Sequence, residues 1–435
     1  MSEAEVDEIC AHWTPAPLID GEDRARVISR DDAVVTHYSG VHVTVNGVAA
    51  INFSTLDFLG LSAVASIHDA CEGAIQKYGV GSCGPRGFYG TMDVHLKLEQ
   101  ELAEFMGTEA GIIYSYDLST IASIVAVFLK QGDVVVHDEG LSYPARSGLT
   151  VSRATVHEFA HNNLDNLQDT LIAIDDAEHT KRSRELNRRF IVVEGLYLNT
   201  GTVCPLVEIM AIAEHYKYRV LVDESMAIGV LGKTGRGACE HHGITPSDVT
   251  LICASMSTAL ASVGGFAAGG SAVTAHQRLS STGYCFSASL PPFHAVAASS
   301  ALRVMREEPE RLERVKSNAV HMHALLVAML DDVEDAEGAA TNGLWLLGED
   351  ISAIKHLHLL VGQGDRQSDT RLLQAICDIV LVDGNSALVV ADYTPLQTGA
   401  PRPSIRLAVS SDHTTEQLEA VVSSLRYAVG LLFGA

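Results

Sequence analysis

Phe190-Ile-Val-Val193, then Leu206-Val-Glu-Ile-Met-Ala-Ile-Ala-Glu-His-Tyr216, then Val220-Leu-Val222 closing on Asp223-Glu224, is the stretch that decides the fold. Two short aliphatic runs flank an apolar stretch long enough for three helical turns. Strands that are apolar throughout are buried on both faces, as in a parallel sheet whose crossover helices cover both sides. The same alternation extends outward, to Ile112–Tyr114 and Asp133–Val136 before it and to Leu251–Ala254 after it. The expected fold class is therefore α/β, a mostly parallel central sheet covered by helices. A helix is expected over Val64–Tyr78, ended by Gly79, and a second over about Met92–Met106, capped by Thr91. Further upstream, His42–Asn46 alternates and Asn46-Gly47 is a type I′ turn signal. Downstream, Pro291-Pro292 punctuates the chain. A long helix over about Phe293–Leu330 follows, then strands near His358–Val361 and Ser404–Val409 and a last helix from Thr415. The division expected is an N-terminal arm (1–50), a large domain (51–290) and a small α+β domain (291–435).

Composition removes several classes of function. Acidic residues outnumber basic ones 54 to 30, a net charge of −24 over 435 residues. Such a surface repels phosphate backbones, so nucleic acid is not an expected partner, and polybasic membrane anchoring is excluded. Eight cysteines are scattered without a C-x-x-C pair, as in a reduced, cytosol-facing protein. Met1–Asp7 is acidic and polar, unlike a signal peptide. The longest uncharged stretch, Leu251–His276, is rich in Gly, Ser and Ala and reads as buried strand and turn rather than a membrane span.

Two features bear on chemistry. Asp223 stands at the carboxyl end of a buried strand, where ligands bind in parallel sheets, although an Asp there also caps a following segment. Tyr78-Gly-Val-Gly-Ser-Cys-Gly-Pro-Arg-Gly-Phe-Tyr-Gly-Thr91 packs five glycines into fourteen residues. It lacks the Gly-Lys-Ser/Thr of a P-loop and the strand–turn–helix setting of a dinucleotide fingerprint. It is either a tight structural loop or a close approach to a ligand or another subunit.

These residues, with Asn52–Leu61, Met92-Asp-Val-His95, Phe190–Gly201, Gly229–Gly237 and Gly283-Tyr-Cys-Phe-Ser-Ala-Ser-Leu-Pro-Pro292, resemble the α-oxoamine synthases, fold-type I pyridoxal 5′-phosphate (PLP) enzymes. Weaker likeness covers Trp13–Leu18 and Pro403–Leu407. Within the family the chain is most similar to the first long-chain-base subunits of eukaryotic serine palmitoyltransferase, its non-catalytic branch. The resemblance implies that a carboxylate, here Asp223, meets the pyridine nitrogen, and that a lysine forms the imine to PLP. Counting six residues back from Gly264-Gly265-Phe266 puts Thr258 at the lysine position. No lysine lies between Lys233 and Lys316. Ser142 falls where catalytic members stack a His on the ring. Met226 falls where they carry a second His after Asp223-Glu224-Ser225. Asp117 occupies a phosphate-contacting turn. The chain's own PLP site is therefore expected to be dead, with Asp223 a relic.

The same resemblance implies that active sites lie at a dimer interface and that each subunit lends residues to its neighbour. Gly79, Gly81, Gly84, Arg86, Gly87, Gly90 and Thr91 form one lent element, with Arg86 facing an anionic group. Ser287 and Ser289 form the other, as donors to the partner's PLP phosphate. Arg406 matches an arginine that binds substrate carboxylate in catalytic relatives. The implied function is that of a non-catalytic subunit of serine palmitoyltransferase. Its partner is a lysine-bearing catalytic subunit holding the PLP, with L-serine and a long-chain acyl-CoA at the shared site, at the cytosolic face of the endoplasmic reticulum membrane. Relatives on this branch carry an N-terminal membrane helix before the Trp13 segment, so the anchor is expected from the partner or from sequence outside this chain. The alternatives are an active homodimeric α-oxoamine synthase and a purely regulatory or scaffolding homologue. No metal site is expected, since the pairs His241-His242 and His356/His358 lack a convergent third ligand. Cys83 and Cys285 read as small apolar residues.

Overall fold

The computed structural model describes residues 1–14, 33–179, 187–331, 343–393 and 399–434. The segment after Thr14 in the Trp13–Leu18 motif, and Asp332, lie outside them. The strands are β1 (Val35–Ser39), β2 (His42–Val45), β3 (Val48–Asn52), β4 (Ala110–Tyr114), β5 (Val134–Asp138), β6 (Thr155–Phe159), β7 (Arg189–Glu194) and β8 (Arg219–Asp223). They continue with β9 (Leu251–Ser255), β10 (Gly265–Gly269), β11 (Leu344–Leu347), β12 (Ile354–Leu359), β13 (Ser386–Ala387), β14 (Val389–Ala391) and β15 (Ser404–Ala408).

Seven strands form the central sheet in the order β4-β10-β9-β8-β7-β5-β6. β6, β5, β7, β8 and β9 run parallel, and β10 runs antiparallel to both β9 and β4. The expected aliphatic runs are its centre: Val135, Val136, Ile191, Val192, Val193, Val222 and Ile252 have no exposed surface. Register pairs Glu194 with Asp223 and Asp223 with Cys253, so the two acids stand side by side at the carboxyl ends of adjacent interior strands. Asn46 (φ 49°) and Gly47 (φ 82°) make the expected turn between β2 and β3. That hairpin joins β1 on one side and β13 on the other. A third, antiparallel sheet has the order β11-β12-β15-β14.

Three local expectations need correction. The helix expected over Phe293–Leu330 is two, Pro292–Glu307 and Glu310–Asp331. Pro309 has no N–H and pushes the residue before it out of the α region, and Glu308 sits at φ −122°, ψ 63°. Thr91 does not cap the helix Asp93–Met106. Its hydroxyl donates to the Arg86 carbonyl at 2.7 Å, and the His95 ring instead accepts from the Met92 N–H at 3.0 Å. The strand expected at His358–Val361 is Ile354–Leu359, buried along its whole length, and Val361 is exposed. Lys355, His356 and His358 disguise it, because they are buried polar residues in a strand interior.

Candidate functional site

The carboxyl ends of β7, β8 and β9 hold a hydrogen-bonded polar cluster. The Glu194 carboxylate accepts from the backbone N–H of Ser142 at 2.6 Å and of Leu198 at 3.1 Å. Asp223 accepts from both the N–H and the hydroxyl of Ser225. Burial raises both acids above the ordinary carboxyl range, and the Asp223 charge raises Glu194 further. From there one chain of contacts runs on to Asp117. The Ser255 N–H donates to the Ser225 hydroxyl at 2.8 Å. The Ser255 hydroxyl donates to Asp117 at 2.7 Å and lies 2.9 Å from that of Ser257. The Thr258 hydroxyl donates to the Ser225 carbonyl at 2.8 Å. Ser142, Met226, Asp223 and Thr258 are all buried.

This set of residues does not fit a PLP of the chain's own. A threonine hydroxyl forms no imine, and that of Thr258 is already bonded within the chain. Asp117, at the first turn of the helix Asp117–Phe128, puts a carboxyl group where a phosphate would need donors. Burial raises the Asp117 pKa, and Ser255 fixes its orientation. Among the described residues, the buried lysine is Lys355. Its amine donates to the carbonyls of Glu349 and Asp350, and burial lowers its pKa to about 7. It belongs to β12 of another sheet.

The glycine loop builds a second region. Gly79 (φ 76°), Cys83 (φ 52°) and Tyr89 (φ 61°) turn the backbone left-handed. A Cβ on Gly90 would lie 1.9 Å from the Gly84 carbonyl oxygen, so only glycine closes the loop. The loop docks on the Gly283–Leu290 segment. The Ser289 N–H donates to the Gly84 carbonyl at 2.9 Å, the Ser82 hydroxyl to the Ser289 carbonyl at 2.8 Å, and the Ser115 hydroxyl to the Ala288 carbonyl at 2.6 Å. A cavity of about 270 Å³ opens between them, lined by Gly81, Ser82, Cys83, Tyr116, Ser289 and His294 among others. The buried Ser289 hydroxyl has no partner among the described residues, whereas that of Ser287 donates to the Gly283 carbonyl. Around this region Val80, Phe88, Tyr89, Tyr116, Leu279 and Phe286 are exposed, Phe88 by 71% and Phe286 by 82%.

Two expected contributors sit differently. The Arg86 guanidinium is turned inward, paired with Glu99 at 2.9 Å and with the Thr91 hydroxyl at 3.0 Å, so its anion comes from its own chain. Arg406, on β15, donates to the Ser54 carbonyl at 3.2 Å, and its Nε has no partner among the described residues. Sequence reasoning missed Glu224 and the Asp138–His161–Thr202 set. Glu224 has no exposed surface, accepts from the N–H groups of Ala238 and Cys239, and is raised by burial to about 7. His161 bonds Asp138 through Nδ1 at 2.7 Å and Thr202 through Nε2 at 2.6 Å. Their signal was weak because single acids and imidazoles acquire partners only when distant segments meet. Among the described residues no three His, Cys, Asp or Glu side chains converge to hold a metal, and no helix is long and apolar enough to cross a membrane.

The family model of the class I and II aminotransferases matches residues 49–425. The chain is 41% identical over 427 residues to long chain base biosynthesis protein 1c of Oryza sativa subsp. japonica, covering 98% of this chain and 85% of that one. It is 38% identical to serine palmitoyltransferase 1 of Dictyostelium discoideum, covering 98% and 87%. Among solved structures, a serine palmitoyltransferase variant from S. paucimobilis with a bound PLP–myriocin aldimine superposes with a TM-score of 0.80 at 26% identity, over 99% of this chain and 98% of that one.

Proposed function

We propose, from the premise that this chain belongs to the class I and II aminotransferase family on the serine palmitoyltransferase subunit 1 branch, that it is the non-catalytic subunit of a heteromeric serine palmitoyltransferase. The fold is that of PLP-dependent enzymes, and the function is that of serine palmitoyltransferase in sphingolipid biosynthesis. The observation that carries the finer reading is Thr258, bonded to the Ser225 carbonyl at the position expected for the imine-forming lysine. In this reading a lysine-bearing partner holds the PLP, which supplies the electron sink for condensing L-serine with a long-chain acyl-CoA. The overall reaction releases CO2 and CoA and yields 3-ketodihydrosphingosine.

This chain's residues act by shaping the shared site. The glycine loop closes over it, the Ser289 hydroxyl is free to donate to an anionic group of the partner's PLP, and the exposed rings of Phe88, Tyr89 and Phe286 exclude water when covered. Ser287 donates there only by releasing the Gly283 carbonyl. The division into an arm (1–50), a large domain (51–290) and a small domain (291–435) is part of the same proposal. So is a place at the cytosolic face of the endoplasmic reticulum membrane, anchored through the partner. The test is co-expression of the tagged chain with its lysine-bearing homologue, borohydride reduction and peptide mapping. PLP is expected on the partner alone. A PLP-labelled lysine on this chain, or turnover by a Thr258→Lys homodimer, overturns the reading.

A further inference from the structure

We propose that Glu99 and His95, on the helix Asp93–Met106, are positioning residues for the partner's active site, clamping the glycine loop and the Ser287–Ser289 segment into one unit. This rests on the reading above that both elements are lent. Glu99 is almost wholly buried and is the meeting point of two cations. One carboxylate oxygen accepts from Arg86 at 2.9 Å and from the Ile113 N–H at 3.2 Å, and the other accepts from Arg278 at 2.9 Å. Arg86 belongs to the loop and is tied to its end through Thr91. Arg278 belongs to the helix Ser271–Ser280 that leads into the serine segment, and it also bonds the Gly111 carbonyl at 3.0 Å and the Tyr284 hydroxyl at 3.1 Å. Both guanidinium groups face the Tyr284 ring, at 5.4 and 5.9 Å from its centroid.

His95 makes the second tie. Its Nδ1 accepts from the Met92 N–H at 3.0 Å, so the proton sits on Nε2, which donates to the Leu290 carbonyl at 2.7 Å. Burial holds the ring in this neutral form. One helix thus grips the exit of the glycine loop and the exit of the serine segment. The free ends of both elements reach the surface at Phe88 and Phe286. Removing the Glu99 charge leaves Arg86 and Arg278 close together without an anion, and their repulsion pushes the two elements apart. Within the central sheet the tie reaches only the end strand β4, at Gly111 and Ile113. The helix packs through Leu98, Leu102 and Phe105.

The test uses the reconstituted heteromeric complex carrying Glu99→Gln, Glu99→Asp, Arg278→Gln or His95→Ala, beside Ser287→Ala and Ser289→Ala. Expected for Glu99→Gln and Arg278→Gln is an assembled complex whose partner loses PLP faster. Its kcat/KM for serine should fall roughly ten- to hundredfold, with a smaller preference for serine over alanine, because orientation carries much of the rate. Glu99→Asp should recover part of the loss. Arg278→Gln keeps the test alive if Glu99→Gln does not assemble. Wild-type PLP retention and kinetic constants in the clamp variants, with Ser289→Ala impaired, overturn the clamp and leave the lent-element reading standing. So does a lowered melting temperature with unchanged kinetic constants, which makes the clamp merely structural. Silence in both serine variants as well overturns the parent reading and this inference with it.

Discussion

At the carboxyl ends of β7, β8 and β9 the hydroxyls of Ser225, Ser255 and Thr258 all donate to the chain's own oxygens, while on the glycine-loop face the Ser289 hydroxyl is buried with no partner among the described residues and large rings stand in water. Both regions are rich in small polar residues, so composition does not separate them. The difference is closure. In the first region donors and acceptors were brought together by one chain, and they satisfy one another. In the second, the backbone is rigid and complete but the side chains it presents lack a surface to meet. An apolar patch of that kind on an otherwise strongly acidic chain marks an interface.

The sharpest way to break this contrast is Phe286→Asp. An unpaired charge buried at an interface costs about 3–5 kcal/mol, so co-purification of the partner should fall on the order of a hundredfold or more. Undiminished co-purification would mean the exposed face is not the contact. Next comes pH. Glu224 carries its proton up to about 7 in the folded chain against 4.5 for the free group, so the folded state binds that proton more tightly. Its contribution to stability is full below the ordinary carboxyl range and is lost as pH rises through the folded value, about 3 kcal/mol in all. Denaturant titrations between about pH 5 and pH 8 should show stability falling, and Glu224→Gln should flatten the slope.

Gly90→Ala has a smaller expected effect. Its methyl group would overlap the Gly84 carbonyl, so the loop must shift at about 1–3 kcal/mol of stability, and activity of the complex should fall while the isolated chain still folds. Full activity with lowered stability would detach the loop from the partner's site. The smallest effect is expected for Thr258→Val, which removes one hydrogen bond, to the Ser225 carbonyl, about 1 kcal/mol. Activity of the complex should be unchanged. A clear loss of turnover would show that this polar cluster still takes part in the reaction.

Much of this contrast was legible in the residues. The aliphatic runs that became β5, β7, β8 and β9, the Asn46-Gly47 turn and the left-handed Gly79 follow from local rules, because burial on both faces and positive φ demand particular residue types. The absence of any lysine between Lys233 and Lys316 is also a matter of counting. Arg86 was misread in part, since a lone arginine in a glycine loop invites an external anion, and Glu99 lies a helix turn beyond the reach of any local pattern. Strand β12 lies upstream of the stretch expected because its interior carries the polar residues Lys355, His356 and His358, and the acceptor that satisfies His356, the Leu198 carbonyl, comes from a distant segment.

The sequence by itself determined the class of sheet, the family, and the absence of any lysine between Lys233 and Lys316, because each depends on residue type and spacing along the chain. Only the tertiary structure decided which polar groups are satisfied. Whether Thr258, Ser225, Ser255 and Asp117 close on one another, whether Glu99 holds two arginines, and whether Ser289 keeps a free hydroxyl depend on segments up to 179 residues apart meeting within hydrogen-bond distance. Hydrogen bonds act over about 3 Å, and no one-dimensional pattern encodes that geometry.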